Sequence, residues 1–307
     1  MSPLVALSSF ILWLVRKAGI KRMRVSKRIF CMLGVYPLRD HYYEPLFNPA
    51  HLRKPLDQDR TLLGLDLNGQ EQLELLSKFD YAEELARIPK VPSKSGPSEF
   101  FYENPSILYG DSEYLYSAIR HFQPGKIIEV GSGFSTLMAI KAVNANKSDD
   151  PTYACQHTCI EPYEMKWLES TGVQVIRQRV EEVDSAVFEG LSANDILFID
   201  SSHVIRPQGD VLFEYLELLP KLRSGVLVHI HDIFTPQDYP EDWVVDQVKQ
   251  WNEQYLLEAF LSFNNQFRVL GALSWLTKHH FDAMSRPFPM LRNHPEAIPG
   301  SFWMVRN

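Results

Sequence analysis

The stretch that decides the fold is Ile127-Ile-Glu-Val-Gly-Ser-Gly-Phe-Ser-Thr136. The short, mostly apolar run Lys126–Val130 is typical of a buried strand, and the residues from about Ser135 to Val143 predict a helix. Between them lies a loop with two glycines, which lets backbone N–H groups come close to a ligand at the helix N-terminus. The stretch therefore predicts a strand, loop and helix unit that binds a ligand.

Strands and helices continue to alternate on the C-terminal side of this unit. Further strands are predicted at Thr158–Ile160, Val173–Ile176, Ile196–Ile199, Val226–Ile230, Phe267–Leu273 and Phe302–Arg306. Helices are predicted at Ser112–His121, Glu164–Ser170, Asp210–Leu222 and Trp243–Trp251. Continuous apolar strands separated by helices imply a parallel sheet that is covered on both faces. We expect a doubly wound, Rossmann-like α/β fold with a seven-stranded, mostly parallel sheet whose last strand is antiparallel.

The chain divides into three regions by composition. Proline is concentrated near Pro89–Pro97, and before it the apolar spacing over Gln70–Arg87 predicts a helix in a region that resembles a cap. We therefore expect a basic amphipathic segment at 1–30, a helical or irregular cap or substrate region at 31–98, and the α/β domain at 99–307.

Charge is distributed unevenly along the chain. Residues 1–39 carry eight Lys or Arg and no acid, whereas the whole chain has a net charge of -7. A basic arm thus precedes an acidic body. Because a nucleic-acid interface usually needs a broad basic face to neutralise phosphates, we expect no nucleic-acid partner.

An amphipathic helix is predicted at the N-terminus. Its apolar face holds Leu4, Leu7, Ile11, Leu14 and Val15, and the run of about a dozen apolar residues is short of the ~20 needed to span a bilayer. One interpretation is that residues 3–28 lie on an anionic cytoplasmic leaflet through this helix and its basic neighbours. The other is that the helix packs on its own domain or on a second copy of the chain in a homo-oligomer.

The cysteines and the N-terminal charges indicate a location for the protein. Cys31, Cys155 and Cys159 are too few for a disulfide framework and lack zinc-like spacing, so we interpret them as free thiols in a reducing compartment. A secretory signal would carry its positive charges before the apolar stretch, whereas here they follow it. We expect a cytoplasmic protein, located at the inner face of the membrane if the helix binds lipid.

Two acidic residues distinguish the glycine loop from a dinucleotide-binding loop. A dinucleotide fingerprint needs a third glycine near position 136, where Thr136 stands. Glu129, two residues before the first glycine, is suited to bind the ammonium of a methionine moiety. Glu161, at the end of the second strand, can accept hydrogen bonds from both hydroxyls of a ribose. A pair of acids at successive strand ends suits a cationic nucleoside.

Ile127-Ile-Glu-Val-Gly-Ser-Gly-Phe-Ser-Thr136 resembles motif I of class I S-adenosylmethionine-dependent methyltransferases, and Ile160-Glu-Pro162 resembles their acidic second motif. The resemblance covers roughly residues 100–307. It implies that S-adenosylmethionine is the cofactor and that Glu129, Gly131, Ser132, Gly133 and Glu161 line its pocket. It also places Glu181 or Glu182, after the third strand, near the adenine.

Four polar residues at the ends of the fourth and fifth strands form the predicted catalytic group. They are Asp200, His203, His231 and Asp232. In a parallel sheet of switched strand order, ligands bind at the carboxyl ends of the strands, where the first and fourth strands meet. Two carboxylates there can hold Mg²⁺, which lowers the pKa of a substrate hydroxyl, and His203 is the natural general base.

Asp200-Ser-Ser-His203 resembles a segment of small-molecule and sugar O-methyltransferases in which aspartates hold a divalent metal and a histidine acts as the base. The chain departs from that pattern at His231, where an acid is expected. Imidazole favours softer ions such as Mn²⁺, Fe²⁺ or Zn²⁺ over Mg²⁺. The resemblance therefore implies catalysis by Asp200 and His203 and leaves open whether Asp200, His231 and Asp232 hold a metal.

The predicted activity is O-methylation of a hydroxyl on a sugar, glycan or small natural product. Two other activities use the same fold or the same residues: an NAD-linked oxidoreductase, and a metal-dependent hydrolase acting through the four strand-end groups. Glu129 and the missing third glycine count against the oxidoreductase. Activity without S-adenosylmethionine would identify the hydrolase.

Overall fold

The computed structural model describes residues 2–92 and 99–307. The chain forms two compact units. One contains the residues up to Pro55 together with Asp242–Gln250, and the other contains Leu56–Glu241 and Trp251–Asn307. The predicted boundary at residues 98 and 99 adjoins segment 93–98, which lies outside the described residues, and the three-region division stays a prediction.

The larger unit is built on one seven-stranded sheet with the order β3-β2-β1-β4-β5-β7-β6. The strands are β1 (Lys126–Val130), β2 (Gln156–Ile160), β3 (Gln174–Ile176), β4 (Ile196–Ile199), β5 (Leu227–Ile230), β6 (Phe267–Ala272) and β7 (Phe302–Arg306). Every neighbouring pair from β3 to β5 is parallel, and β7 is antiparallel to both β5 and β6. The predicted fold class is confirmed, and β1 and β4 are neighbours as a switched strand order requires.

Helices cover the sheet and precede it. They are α1 (Pro3–Ala18), α2 (Arg24–Leu33), α3 (Gly69–Leu76), α4 (Ala82–Ala86), α5 (Asp111–Phe122), α6 (Phe134–Asp149), α7 (Ala186–Glu189), α8 (Asp210–Phe213), α9 (Glu253–Leu261), α10 (Leu273–His279), α11 (Phe281–Ser285) and α12 (Pro289–Asn293). After α8 the backbone stays helical, with wider and then tighter turns, to Lys221. Among residues 2–92 and 99–307, every helix is too short or too polar to cross a membrane.

Three helical predictions were wrong in extent. The segment 70–87 forms two helices, α3 and α4, rather than one. The predicted helix Glu164–Ser170 is only a short 3₁₀ turn at Leu168–Thr171, because Glu161 accepts hydrogen bonds from two backbone N–H groups and folds its start into a turn. Only a single wide turn, Asp242–Asp246, forms in the predicted helix Trp243–Trp251.

Both faces of the central strands are buried. All four residues of β4 are inaccessible to solvent; Ile196 and Phe198 belong to one apolar cluster, and Leu197 and Ile199 to a second. Successive side chains of a strand point to opposite faces of the sheet, so the two clusters lie on opposite faces. This explains why β4 has a continuous apolar sequence rather than an alternating one.

Replacing Leu197 with alanine should destabilise the protein strongly, because Leu197 is fully buried in β4. A core Leu→Ala change removes buried apolar area and leaves a cavity, so the free energy of unfolding should fall by about 2–5 kcal/mol. The matched control is Leu216→Ala on the helical surface, where the leucine is 63% exposed and the loss should stay below about 0.5 kcal/mol. Urea unfolding measures both, and equal losses would contradict this account of the core.

Candidate functional site

Backbone hydrogen bonds fix the residues just beyond the carboxyl ends of the central strands. The N–H of Gly131 donates to the carbonyl of Ile160 (3.0 Å), and the N–H of Asp200 donates to that of Val130 (2.8 Å). The N–H of His231 donates to the carbonyl of Ile199 (2.8 Å). The ladders of the sheet thus continue past β1, β4 and β5, which places the first polar residues after each strand at one edge.

The glycine loop after β1 has no room for a side chain at its first glycine. Gly131 has a φ of +72°, a conformation that L-residues rarely adopt, and a Cβ there would lie 1.9 Å from the carbonyl oxygen of Asp200. Thr136 is buried in the first turn of α6, and its hydroxyl connects the loop to β1. Its hydroxyl accepts a hydrogen bond from the N–H of Gly133 (3.1 Å) and donates one to Glu129 (2.7 Å).

An open cleft of ≈ 820 Å³ runs along this edge of the sheet, and a smaller one of ≈ 260 Å³ adjoins it at the glycine loop. The larger volume is in the range of ~300–1,000 Å³ that small-molecule sites occupy. The predicted residues that line the two clefts are Gly131, Ser132, Gly133, Glu161, Glu181, Asp200 and His231. Four predicted residues do not line them: Glu129, Glu182, His203 and Asp232.

Glu161 is held at the end of β2 with hydrogen-bonding capacity to spare. One carboxylate oxygen accepts from the N–H groups of Tyr163 (2.9 Å) and Glu164 (2.8 Å). The other receives only a long contact from the N–H of Ser132 (3.5 Å). Because a carboxylate offers about four acceptor positions, Glu161 can still bind hydroxyl groups in the cleft.

Glu129 is buried beneath the glycine loop, only 1% exposed. One of its oxygens accepts from Thr136 and lies 2.9 Å from His157 Nε2 and 3.5 Å from the thiol of Cys159. The other oxygen, Oε1, has no hydrogen-bond partner in the part of the chain that the structure describes. Because a buried acceptor without a partner is costly, Oε1 is a fitting place for a donor from a ligand.

Three carboxylates surround the imidazole of His203. Its Nε2 lies 3.2 Å from Asp200 and 3.6 Å from Asp232, and its Nδ1 lies 2.8 Å from Glu253. His203 and Glu253 are buried, whereas Asp200 is partly exposed toward the cleft. His203 therefore does not line the cleft itself, but it contacts Asp200, which does.

The backbone at this cluster is in an unusual conformation. His203 and Asp232 have φ values of 59° and 58°, in the left-handed region that few residues other than glycine adopt. The carbonyl of His203 accepts from the N–H groups of Asn252 (2.9 Å) and Glu253 (3.2 Å), which hold it in place. Backbone strain of this kind concentrates at functional sites, where the surrounding structure maintains it.

The carboxylates change the protonation of the histidine. Burial alone lowers the pKa of His203, but the hydrogen bonds to Asp200 and Glu253 and their negative charges outweigh burial and raise it well above 6.5. Burial would raise the pKa of Asp200, yet the positive charges of His231 and His203 bring it below 3.8. The carboxylates thus favour the imidazolium form of His203.

The two histidines of β5 and its end differ in environment. His231 lines the smaller cleft, with Nε2 3.6 Å from Asp232. His229 is fully buried, stacked on Phe198 at 4.1 Å and hydrogen-bonded to Ser301 at 2.8 Å. Burial and the charge of His231 lower the pKa of His229 well below 6.5, so it is a neutral packing group.

Two clusters of three candidate metal ligands occur among residues 2–92 and 99–307. One joins Glu129, His157 and Cys159 beneath the glycine loop, and the other joins Asp200, His203 and Asp232. The second differs from the predicted set of Asp200, His231 and Asp232 in its histidine. The first cluster is fully buried. It also contains Glu129, so a metal there would compete with the ammonium of a ligand for this carboxylate.

Sequence reasoning missed Glu253 and Glu214. Glu253 lies in the first turn of α9, fifty residues after His203. Glu214 accepts from the hydroxyl of Ser201 (3.0 Å), and burial together with the charges of Glu253 and Asp210 raises its pKa well above 4.5. Neither acid belongs to a motif, and only the folded chain brings them to the cluster.

Comparison with known proteins yields one matching family model and one relative by sequence. A family model described as "Methyltransferase domain" matches residues 128–233. An uncharacterized protein of Archaeoglobus fulgidus is 30% identical over 167 residues, which cover 51% of this chain and 74% of the relative.

Two solved structures resemble the chain more distantly. One is an O-methyltransferase from Bacillus cereus in complex with SAH, 12% identical with a TM-score of 0.38, covering 77% of this chain and 91% of that one. The other is a putative protein-L-isoaspartate O-methyltransferase from Plasmodium falciparum in complex with S-adenosyl-L-homocysteine. It is 12% identical with a TM-score of 0.29, and the match covers 53% of this chain and 77% of that one.

Gly131→Ala should be far more damaging than Gly172→Ala. Both glycines have positive φ, +72° and +85°, but a Cβ at Gly172 would meet nothing within 4 Å. Left-handed strain should therefore cost each variant about 1–2 kcal/mol of unfolding free energy, and the clash with the carbonyl of Asp200 should cost Gly131→Ala at least ~2 kcal/mol more. Chemical denaturation of the two variants tests this; similar losses would contradict the close approach at Gly131.

Proposed function

The chain belongs to the class I S-adenosylmethionine-dependent methyltransferases, and on this premise we propose that it methylates a hydroxyl group of a small, polar acceptor. One observation carries the proposal: one cleft is lined by Gly131, Glu161 and Asp200. His203 contacts Asp200 from the protein interior. A methyl donor and an acceptor hydroxyl can both reach that edge of the sheet.

The cofactor would be held by the glycine loop and the two acids. Glu161 accepts hydrogen bonds from the ribose hydroxyls, and Glu129 Oε1 accepts one from the ammonium of the methionine moiety. Supporting this, Glu129 Oε1 and the hydroxyl of Ser132 are buried and have no hydrogen-bond partner among residues 2–92 and 99–307. Glu181, in the wall of the cleft, is better placed for the adenine end than Glu182, which lies outside it. When bound, S-adenosylmethionine supplies an electrophilic methyl group on a sulfonium.

His203 acts as the general base through its contact with Asp200. Asp200 orients the acceptor hydroxyl, and the His203 ring in its neutral form accepts the hydroxyl proton at Nε2. With S-adenosylmethionine bound, transfer would join the acceptor oxygen to the methyl carbon and break the carbon–sulfur bond, which would give a methyl ether and S-adenosylhomocysteine. Glu253 positions the ring, because its hydrogen bond to Nδ1 leaves Nε2 as the nitrogen that faces Asp200.

Metal binding and base catalysis compete for the same atom of His203. Nδ1 is bound to Glu253, so Nε2 is the only nitrogen available either to accept a proton or to join Asp200 and Asp232 as a metal ligand. We favour the base, because the carboxylates raise the pKa of His203, so that a neutral ring readily accepts a proton at Nε2. Mg²⁺ or a softer divalent ion held by Asp200 and Asp232, with His231 or His203, is the alternative.

The polar lining of the larger cleft favours a sugar or glycan acceptor. Beyond the cofactor loop it presents side chains that hydrogen-bond to hydroxyl groups: Ser201, Ser202, Arg206, Gln208 and Asp210. A flat aromatic acceptor would instead call for an apolar, aromatic wall.

Glu161→Gln should weaken the binding of S-adenosylmethionine by about 10–100-fold, because hydrogen bonds to a charged acceptor contribute roughly 1.5–3 kcal/mol. Glu182→Gln, the matched control outside the cleft, should bind within about twofold of the wild type. Isothermal titration calorimetry measures both, and NAD in the same cell should give no heat. Binding of NAD without binding of S-adenosylmethionine would favour the oxidoreductase instead.

His203→Asn should lower the rate of methyl transfer by about 10²–10⁴-fold, as expected for loss of a general base. The matched control is His279→Asn, because His279 is half-exposed and paired with Asp59 away from the cleft. Release of S-adenosylhomocysteine with monosaccharide and phenol acceptors gives the rate. Because the pKa of His203 is raised above 6.5 and a base must be neutral, the wild-type rate should rise with pH through a pKa above 6.5.

Treatment with EDTA separates the two roles of His203. Transfer that survives EDTA and is lost in His203→Asn supports the base. Transfer that EDTA abolishes and Mn²⁺ restores contradicts it and identifies a metal site. Turnover of an acceptor without S-adenosylmethionine would point to the hydrolase.

A further inference from the structure

Helix α1 of the N-terminal unit has an apolar face that is exposed to solvent. Leu4, Leu7, Ile11 and Leu14 of α1 are 45–78% exposed, and the helix has no buried residue. They recur at the spacing of one helical face.

The other side of α1 is anchored within the same unit. Arg16 pairs with Glu44 and donates a hydrogen bond to the hydroxyl of Tyr36 (2.8 Å). Leu12 and Arg16 also face segment 37–41 across a cavity of ≈ 580 Å³. These contacts link the C-terminal end of α1 to the segment that contains Tyr36 and Glu44, and they leave its leucines exposed.

The second helix repeats the pattern and adds charge. On α2, the apolar residues Val25, Ile29 and Met32 occupy one side and are exposed, with no buried residue in the helix. Its basic residues lie on the other side, and with the loop between the helices they form a group of exposed cations: Lys21, Arg22, Arg24, Lys27 and Arg28. No acid occurs before Asp40 to neutralise them.

We propose that α1 and α2 bind the surface of an anionic lipid bilayer. The apolar faces would enter the boundary between headgroups and acyl chains while the cations contact anionic headgroups. At 1.5 Å per residue, the 16 residues of α1 extend roughly 24 Å, short of the ~30 Å hydrocarbon core, so the helix lies in the membrane plane.

A bilayer fits this surface better than a second copy of the chain. Two copies joined through α1 would bring two basic arms together, and residues 1–39 contain no acid to offset the repulsion. Anionic lipid supplies both the apolar phase and the negative charge. This inference does not depend on the proposed methyl transfer.

Co-sedimentation of the full chain with vesicles tests the proposal. The wild type should pellet with vesicles of mixed phosphatidylcholine and phosphatidylglycerol and stay in solution with pure phosphatidylcholine. The double variant Leu7→Glu/Ile11→Glu should lose at least about tenfold in vesicle partition. Leu63→Glu, at a leucine that is 93% exposed in the larger unit, is the matched control and should change nothing.

A second set of variants tests the charge. Arg24→Gln/Lys27→Gln/Arg28→Gln should lower the partition by roughly fivefold per residue, whereas Lys221→Gln/Arg223→Gln should leave it unchanged. A thermal melt equal to that of the wild type verifies that each variant is folded. Failure of the wild type to pellet with either vesicle would overturn the proposal, as would equal pelleting with both. A wild-type dimer in light scattering that Leu7→Glu/Ile11→Glu dissociates, with no vesicle binding, would assign the face to a second copy.

Discussion

The contact between Gly131 and the carbonyl of Asp200 is the constraint on which the rest of the site depends. The space there admits no Cβ, and the N–H of the same aspartate donates to the carbonyl of Val130. These contacts exist only because β1 and β4 are neighbours in the sheet, at the point where the strand order reverses. One close approach of backbone to backbone therefore brings the glycine loop to Asp200, the first residue of the predicted catalytic group.

Beyond Asp200, the main feature of the site is the compensation of several negative charges around His203. Asp200, Asp232 and Glu253 surround one imidazole, and only Glu253 is fully buried, but three uncompensated carboxylates so close together would be unfavourable. The fold compensates in two ways. It raises the pKa of His203, which favours the imidazolium, and it raises the pKa of nearby Glu214, which favours the neutral acid. The ring is thereby fixed in position before any ligand enters.

The sequence predicts most of the sheet and the cofactor loop because their signals are local. β1, β4 and β7 have the predicted bounds, since a run of apolar residues between polar turns is enough to define a buried strand. The segment 243–251 has apolar residues at helical intervals but forms only one wide turn. Apolar spacing alone therefore did not predict the secondary structure of this segment. Glu253 could not be predicted, because its role depends on α9 reaching His203 across fifty residues of chain.

The histidine at position 231 is consistent with the charge state of the cluster. An acid there would add a negative charge beside Asp200 and Asp232, which would favour a divalent cation. His231 instead has its own pKa raised: burial opposes its charge, but Asp232, Asp200 and Asp111 outweigh burial, so it tends toward a second cation. A cluster that already contains His203 as a cation gains little from a divalent ion and would repel one when His231 is charged. The same positive charge lowers the pKa of Asp200, which keeps this carboxylate ionised at the cleft, where it can accept a hydrogen bond from an acceptor hydroxyl. The exchange of an acid for a histidine thus makes this cluster less suited to a divalent cation.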